Sequence, residues 1–257
     1  MRKHYLDSII AESNHHITVN LIGAGGNGSH MLTNLAILSS ALVRLGHQPL
    51  FVRTFDDDIV EDHNVGRQAF SRSDIGRNKA EVLTSRCNRY FGTQWSAVPF
   101  RFGVDYPLYD LSANFTISCV DSVQSRAEIF HHLRRIIDNN AKNNIAYRRL
   151  VYWLDIGNSA RHGQIILGTI VNAKQPAKSN GVSKLKHFFD EYRDVKDDPD
   201  EPSCSLAESL FRQDLFINKI MATYAADLLW NLLHNFVIYS RGIYVNLETL
   251  KTTLIPV

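Results

Sequence analysis

The sequence predicts an α/β protein: a doubly wound, largely parallel sheet with helices on both faces and antiparallel closing strands. Two observations predict it. The β-branched, apolar run Ile17-Thr-Val-Asn-Leu-Ile22 passes directly into Gly23-Ala-Gly-Gly-Asn-Gly28 and then into a helical pattern. A second strand pattern, Leu50-Phe51-Val52 to Phe55, follows that helix. Strand, glycine turn, helix and strand in this order open a doubly wound sheet.

The first helix is expected from about Asn27 to Arg44, with Met31, Leu32, Leu35, Leu38 and Leu42 at helical spacing and Gly46 and Pro49 ending it. The second strand ends in Asp56-Asp57-Asp58, and Ile59 to Ser73 is polar and irregular. Asp74 is expected to cap a helix running to about Tyr90. Phe115 to Val120 reads as a buried strand with Asp121 at its carboxyl end, followed by a helix from about Ser122 to Asp138. Val151 to Gly157 and Gln164 to Val171 read as two more strands. From about residue 173 to 203 the chain is a polar connection, expected to be a mobile loop. Within it, seven acidic side chains between Asp190 and Glu201 face only Arg193 and Lys196. Ser205 to about His234 is helical and apolar, as one helix or two; Arg212, Asp214, Lys219 and Asp227 make it a core helix rather than a membrane one. The tail from Val237 suggests closing strands.

Composition narrows the class. The 257 residues are 44% hydrophobic and 21% charged, enough for a full core. Twenty-eight basic residues against 26 acidic ones leave a formal charge of +2, so nucleic acid is an unlikely partner. Three cysteines give neither a disulfide framework nor a four-thiolate zinc site. The uncharged stretch from His15 to Val43 carries Gly, Asn, Ser and His and is no membrane span. The start, MRKHYLDSII, lacks the apolar core of a signal peptide, so a reduced, cytoplasmic protein with no membrane partner is expected.

Gly23, Gly25 and Gly28 satisfy G-x-G-x-x-G between a strand and a helix, where free N–H groups of the helix start can receive a phosphate. A dinucleotide-dependent dehydrogenase would use Asp56 as its ribose acid, but the spacing is long and no hydride-transfer constellation accompanies it. The next loop favours a triphosphate. Asn64, Arg67 and Lys79 follow the acidic strand end, and such donors neutralise and orient polyphosphate for substitution at phosphorus.

The pattern D-x-D-x-V-x-x-x-N-x-x-R-Q, then D-I-G-x-x-K-A, after G-x-G-G-x-G-S, resembles the ThiF/MoeB/HesA family of ubiquitin-activating-enzyme-like adenylyltransferases. Cys119-Val-Asp121-Ser-Val-Gln-Ser-Arg126 continues the likeness, which spans about Thr18 to Trp230. Within the family, Pro202-Ser-Cys-Ser-Leu-Ala-Glu and Gln213-Asp-Leu-Phe-Ile-Asn218 are most similar to the branch found in the bacterial PRTRC cassette. The resemblance implies a Rossmann-like fold and a single adenylation domain over residues 1–257. A nucleotide-binding half would cover about 15–140 and a carrier-binding half about 150–257. It implies ATP-dependent adenylation of the C-terminal carboxylate of a small ubiquitin-like or sulfur-carrier protein, usually ending in Gly-Gly, with release of pyrophosphate. Gly26 would then sit at the phosphate turn and Asp56 on the ribose hydroxyls, with Asp58 nearby. Asn64, Arg67, Gln68 and Lys79 would grip the triphosphate, and Asp121 would hold Mg²⁺.

Four departures accompany the likeness. The Arg67–Lys79 interval is one residue shorter than expected, and the Gly23–Asp56 interval is longer. The C-x-x-C pairs of many relatives are absent, so no structural zinc is expected. The N-terminal arginine segment that reaches a partner's ATP has no clear equivalent, so a homodimer rests on analogy. Cys204 precedes Ser205-Leu-Ala-Glu208, a capping box, and a thiol at a helix start is favoured as thiolate. It is read either as a thioester-forming nucleophile or as a small packed residue beside an acidic run; Cys87 and Cys119 read as structural. Two other functions stay open: adenylation of a small molecule or RNA carbonyl, and a non-catalytic nucleotide-binding partner in a plasmid-maintenance assembly.

Overall fold

The computed structural model describes residues 2–104, 111–142, 150–176, 182 and 214–257. Cys204 and nearly all of the acidic connection lie outside them. An eight-stranded sheet forms the centre. In chain order its strands are β2 (Ile17–Ile22), β3 (Leu50–Phe55), β4 (Ser96–Val98), β5 (Phe115–Ser118), β6 (Tyr152–Asn158), β7 (His162–Thr169), β9 (Ser240–Asn246) and β10 (Lys251–Pro256). The spatial order is β10-β9-β7-β6-β5-β2-β3-β4. The five strands from β4 to β6 are parallel, and β7, β9 and β10 add on antiparallel. A short pair, β1 (His4–Tyr5) with β8 (Val237–Ile238), ties the start of the chain to its end.

This is the expected α/β, Rossmann-like architecture. β2 is nearly all apolar because it lies between β3 and β5 with both faces covered. Alternate residues feed two cores. Val19, Leu21, Val52, Leu154 and Ile165 face a layer made by α2 (Gly26–Arg44), α3 (Lys79–Phe91) and α5 (Ile217–Asn235). Ile22, Phe55, Trp153 and Ile166 face α4 (Val123–Lys142), which buries Ile129, Leu133 and Ile136. A short α1 (Ser8–Ala11) is capped by Asp7. The two polar residues of β2 are satisfied: Thr18 Oγ1 donates to Asn114 Oδ1 at 3.0 Å, while the Asn20 amide donates to the Leu111 carbonyl at 2.6 Å and its oxygen accepts from Arg53 Nε at 3.0 Å.

One helix start differs from expectation. α3 begins at Lys79 with Asn78 as cap, not at Asp74. Asp74 instead closes a separate 3-10 turn, Arg72–Asp74, accepting from the Ser71 N–H and hydroxyl, and Gly76 at φ +84° separates the two. The left-handed backbone there ends one turn and lets Asn78 start the next.

Candidate functional site

A cleft of about 680 Å³ opens at the carboxyl ends of β2, β3 and β5. The chain moves from β2 to β3 on one side and later returns to β5 on the other. This is the topological switch point where open parallel sheets bind ligands. Gly23, Gly25, Gly26, Asp56, Asp58, Asn64, Arg67, Gln68, Lys79 and Asp121 all line it. Of the residues singled out from sequence, Gly28 lies beneath the wall and Cys204 lies outside the described residues.

The glycines have different jobs. Gly23 takes φ +88°, and a Cβ there would sit 2.8 Å from the Cys119 carbonyl oxygen. Gly28 packs on the turn itself: a Cβ would lie 1.8 Å from the Gly23 oxygen. Gly25 caps α2 with no side-chain hydrogen bond to the first turn. The N–H groups that open the helix therefore face the cleft without a protein cap.

The acidic strand end is a scaffold as well as a wall. Asp56 accepts from the Ala24 N–H at 2.5 Å and from the Asp58 N–H at 2.9 Å, joining the end of β3 to the glycine turn. Burial pushes its carboxyl above the usual carboxylate range, against those hydrogen bonds and the Lys79 charge. Asn78, which the sequence reading passed over, donates to the Asp56 and Asp58 carbonyls and accepts from the Glu81 N–H. It thus sets Lys79 beside Asp58, where Nζ meets the carboxylate at 2.7 Å. Lys79 is buried, while Asp58 is open to solvent. Asn64, also buried, accepts the Glu61 N–H at 2.8 Å and closes the 3-10 turn Asp62–Asn64. Burial lowers the Arg67 pKa, and its loop is tied to α2 by the Ala69 N–H on Ser29 Oγ.

Asp121 sits just beyond β5, exposed in the cleft, with no hydrogen bond or ion pair among the described residues. The turn that carries it is fixed from below. Arg126 Nε donates to both carboxylate oxygens of Asp155, at 3.0 and 3.1 Å, and its Nη1 donates to the Ser122 carbonyl. Asp155 accepts further from Ser118 Oγ. An acidic residue in the apolar run Tyr152-Trp-Leu-Asp155-Ile was the sequence signal for this pair. Cys119 lies one residue past β5 and in the cleft wall, and burial pushes its thiol far up; burial lifts Cys87 to about 11. Both are protonated at neutral pH, as structural thiols should be.

Two polar contacts at the site come from strands and helices distant in sequence. Asn27 donates to Asn158 Oδ1 at 2.7 Å, and Asn218 at the start of α5 rests on Gly26. No helix among the described residues is long and apolar enough to cross a membrane.

Residues 11–135 match the ThiF family. No curated protein sequence matches the chain. Several solved structures share its fold. A crystal structure of PaaA superposes with a TM-score of 0.59 at 16% identity, covering 97% of this chain and 66% of that one. E. coli MccB gives 0.57 at 16% identity, with 97% and 64% covered, and E. coli MccB with ATP gives 0.57 at 16%, with 97% and 66% covered. The chain therefore spans about two thirds of the length of these structures.

Proposed function

We propose that the cleft binds ATP with Mg²⁺ and that the chain, as a single ThiF-type domain, adenylates the C-terminal carboxylate of a small carrier protein. The observation that carries this reading is one cleft at the switch point that gathers the glycine turn, Asp56, Asn64, Arg67, Gln68, Lys79 and Asp121 from separate loops. The family match over residues 11–135 and the fold shared with MccB, whose structures include ATP and MccA, support it.

The triphosphate lies against the N-terminus of α2, with Arg67 and Lys79 offsetting its charge. Lys79 keeps donors beyond the one given to Asp58. Asp56 faces the ribose and Asn64 and Gln68 the phosphates. An incoming carboxylate oxygen bonds to the α-phosphorus, the bond to the β-phosphate oxygen breaks, and pyrophosphate leaves with that electron pair. Two anions must meet for this, so preorganised cations and N–H donors supply most of the effect. Asp121 fits a hard cation: it is an exposed oxygen donor with its carboxylate uncommitted among the described residues. Mg²⁺ held there would stabilise charge on the transferring phosphates. The acyl adenylate would pass to Cys204, whose thiolate displaces AMP at the acyl carbon. We place the protein with the PRTRC-type branch, in the cytoplasm, with a Gly-Gly-ending carrier encoded beside it.

Pyrophosphate–ATP exchange with that small neighbouring protein tests the reading. Arg67→Ala and Asp121→Ala should each lower exchange by about 10²–10³-fold with little change in thermal stability. Normal exchange in either variant would remove that residue from the site.

A further inference from the structure

We propose that Asn218 of α5 is a phosphate ligand, its side-chain amide donating to a nonbridging oxygen held at the N-terminus of α2. This rests on the nucleotide reading of the cleft and adds a residue from the far half of the chain. Asn218 is 3% exposed, lines the cleft, and its Nδ2 has no hydrogen-bond partner among the described residues. A buried amide N–H without an acceptor costs about 1–3 kcal/mol, so native proteins rarely keep one idle.

Its neighbours show what the acceptor would be. Asn218 lies directly over Gly26: a Cβ on Gly26 would sit 2.7 Å from both Cγ and Nδ2 of the amide. Any side chain at 26 would displace it. Gly26 is the first residue of α2, a 19-residue helix without a side-chain cap, and Asn218 is the second residue of α5, equally uncapped. The first turns of two helices thus meet where Asn218 rests on Gly26, each helix end lacking a side-chain cap and carrying a positive dipole end. Asp214 already accepts the Phe216 N–H at the start of α5, and an anion at Gly26 would add to the same electrostatic balance. Two other amide side chains of the cleft carry buried atoms without a partner among the described residues, Asn27 Oδ1 and Gln68 Oε1, and both atoms are acceptors. Of these three buried unpartnered atoms, Asn218 Nδ2 is the donor.

The test measures binding of Mg·ATP and of adenosine to the full chain, together with the melting temperature of the ligand-free protein. Asn218→Ala should weaken Mg·ATP by about ten- to a hundredfold, the range for a hydrogen bond to a charged group. Asn218→Asp should weaken it further, by setting a carboxylate against the phosphate. Adenosine affinity should stay the same in both variants. The ligand-free melting temperature of Asn218→Ala should be unchanged or raised, because an unsatisfied buried amide has been removed. A structural role predicts the opposite, a lower melting temperature with ATP and adenosine affected in parallel. Unchanged ATP affinity in both variants overturns the assignment of Asn218 alone. A wild-type protein that binds adenosine no worse than ATP overturns the phosphate site, and the assignment falls with it.

Discussion

Two ion pairs of the same kind frame the cleft in opposite surroundings. On its rim, Lys79 is 10% exposed and Asp58 66%. On its floor, Arg126 is 6% exposed and Asp155 fully buried. The rim carboxylate has water as an alternative partner, so Lys79 can turn part of its charge to a ligand at small cost. The floor pair has no such alternative: it is bonded through two oxygens and continues into Ser118 and the Ser122 carbonyl. Even Gly157 belongs to this packing, since a Cβ there would meet Arg126 Nη2 at 2.9 Å. Equal charges therefore do different work. The floor pair ties down the turn that carries Asp121, and the rim pair leaves Lys79 beside a carboxylate that water can reach.

The strongest way to break that contrast is to cut the floor pair. Arg126→Ala should cost about 3–5 kcal/mol in chemical denaturation, because Asp155 is left buried and uncompensated. Arg126→Leu combined with Asp155→Leu should recover most of that loss, since an apolar pair of similar volume is often neutral. A loss below about 1 kcal/mol in Arg126→Ala would put the two pairs in one class.

A second test asks whether acid acts on the cleft pairs or elsewhere. His4 is fully buried at the far end of the sheet, with Nε2 2.9 Å from the Tyr152 hydroxyl and Nδ1 accepting the Val182 N–H. Burial pushes its pKa down to about 4 from 6.5. Between those values the unfolded chain binds the proton and the folded one does not, so stability rises with pH and is lost as pH falls through that window. The full effect is about 3 kcal/mol. Burial lowers His30 and His132 in the same direction. Urea unfolding at pH 7 and pH 4.5 should show the loss, and His4→Phe should flatten the slope. An equal slope in that variant would assign the acid sensitivity to other groups.

The smallest effect is expected on the rim. Asp58→Asn should change stability by about 0–1 kcal/mol, as exposed pairs do. It should leave Mg·ATP binding undiminished, since Lys79 loses a competitor. A large loss of stability would show that Asp58 is structural like Asp155.

Much of this was legible in the residues. The apolar run before Gly23 and the helical spacing of Met31, Leu32, Leu35, Leu38 and Leu42 mark β2 and α2 because burial on both faces of a central strand and one face of a helix demands them. The polar loop carrying Asn64, Arg67 and Lys79 stood out by its chemistry, and the structure brings all three to one cleft. The start of α3 was not. Asp74 and Asn78 are both good caps, and only the left-handed Gly76 between them separates a 3-10 turn from the helix. The short β4 was missed because three residues, half-buried Ser96 and Ala97 and buried Val98, are too few to show a periodicity.

The sequence by itself determined the fold class, the glycine turn and the residue types around the cleft, since propensity, spacing and charge are local properties. Only the tertiary structure decided which charges are paired and how deeply each pair is buried. Lys79 against Asp58, Arg126 against Asp155, and Asn218 resting on Gly26 all join residues brought together by strand order. Burial then sets the strength of each contact by deciding whether water can take the partner's place.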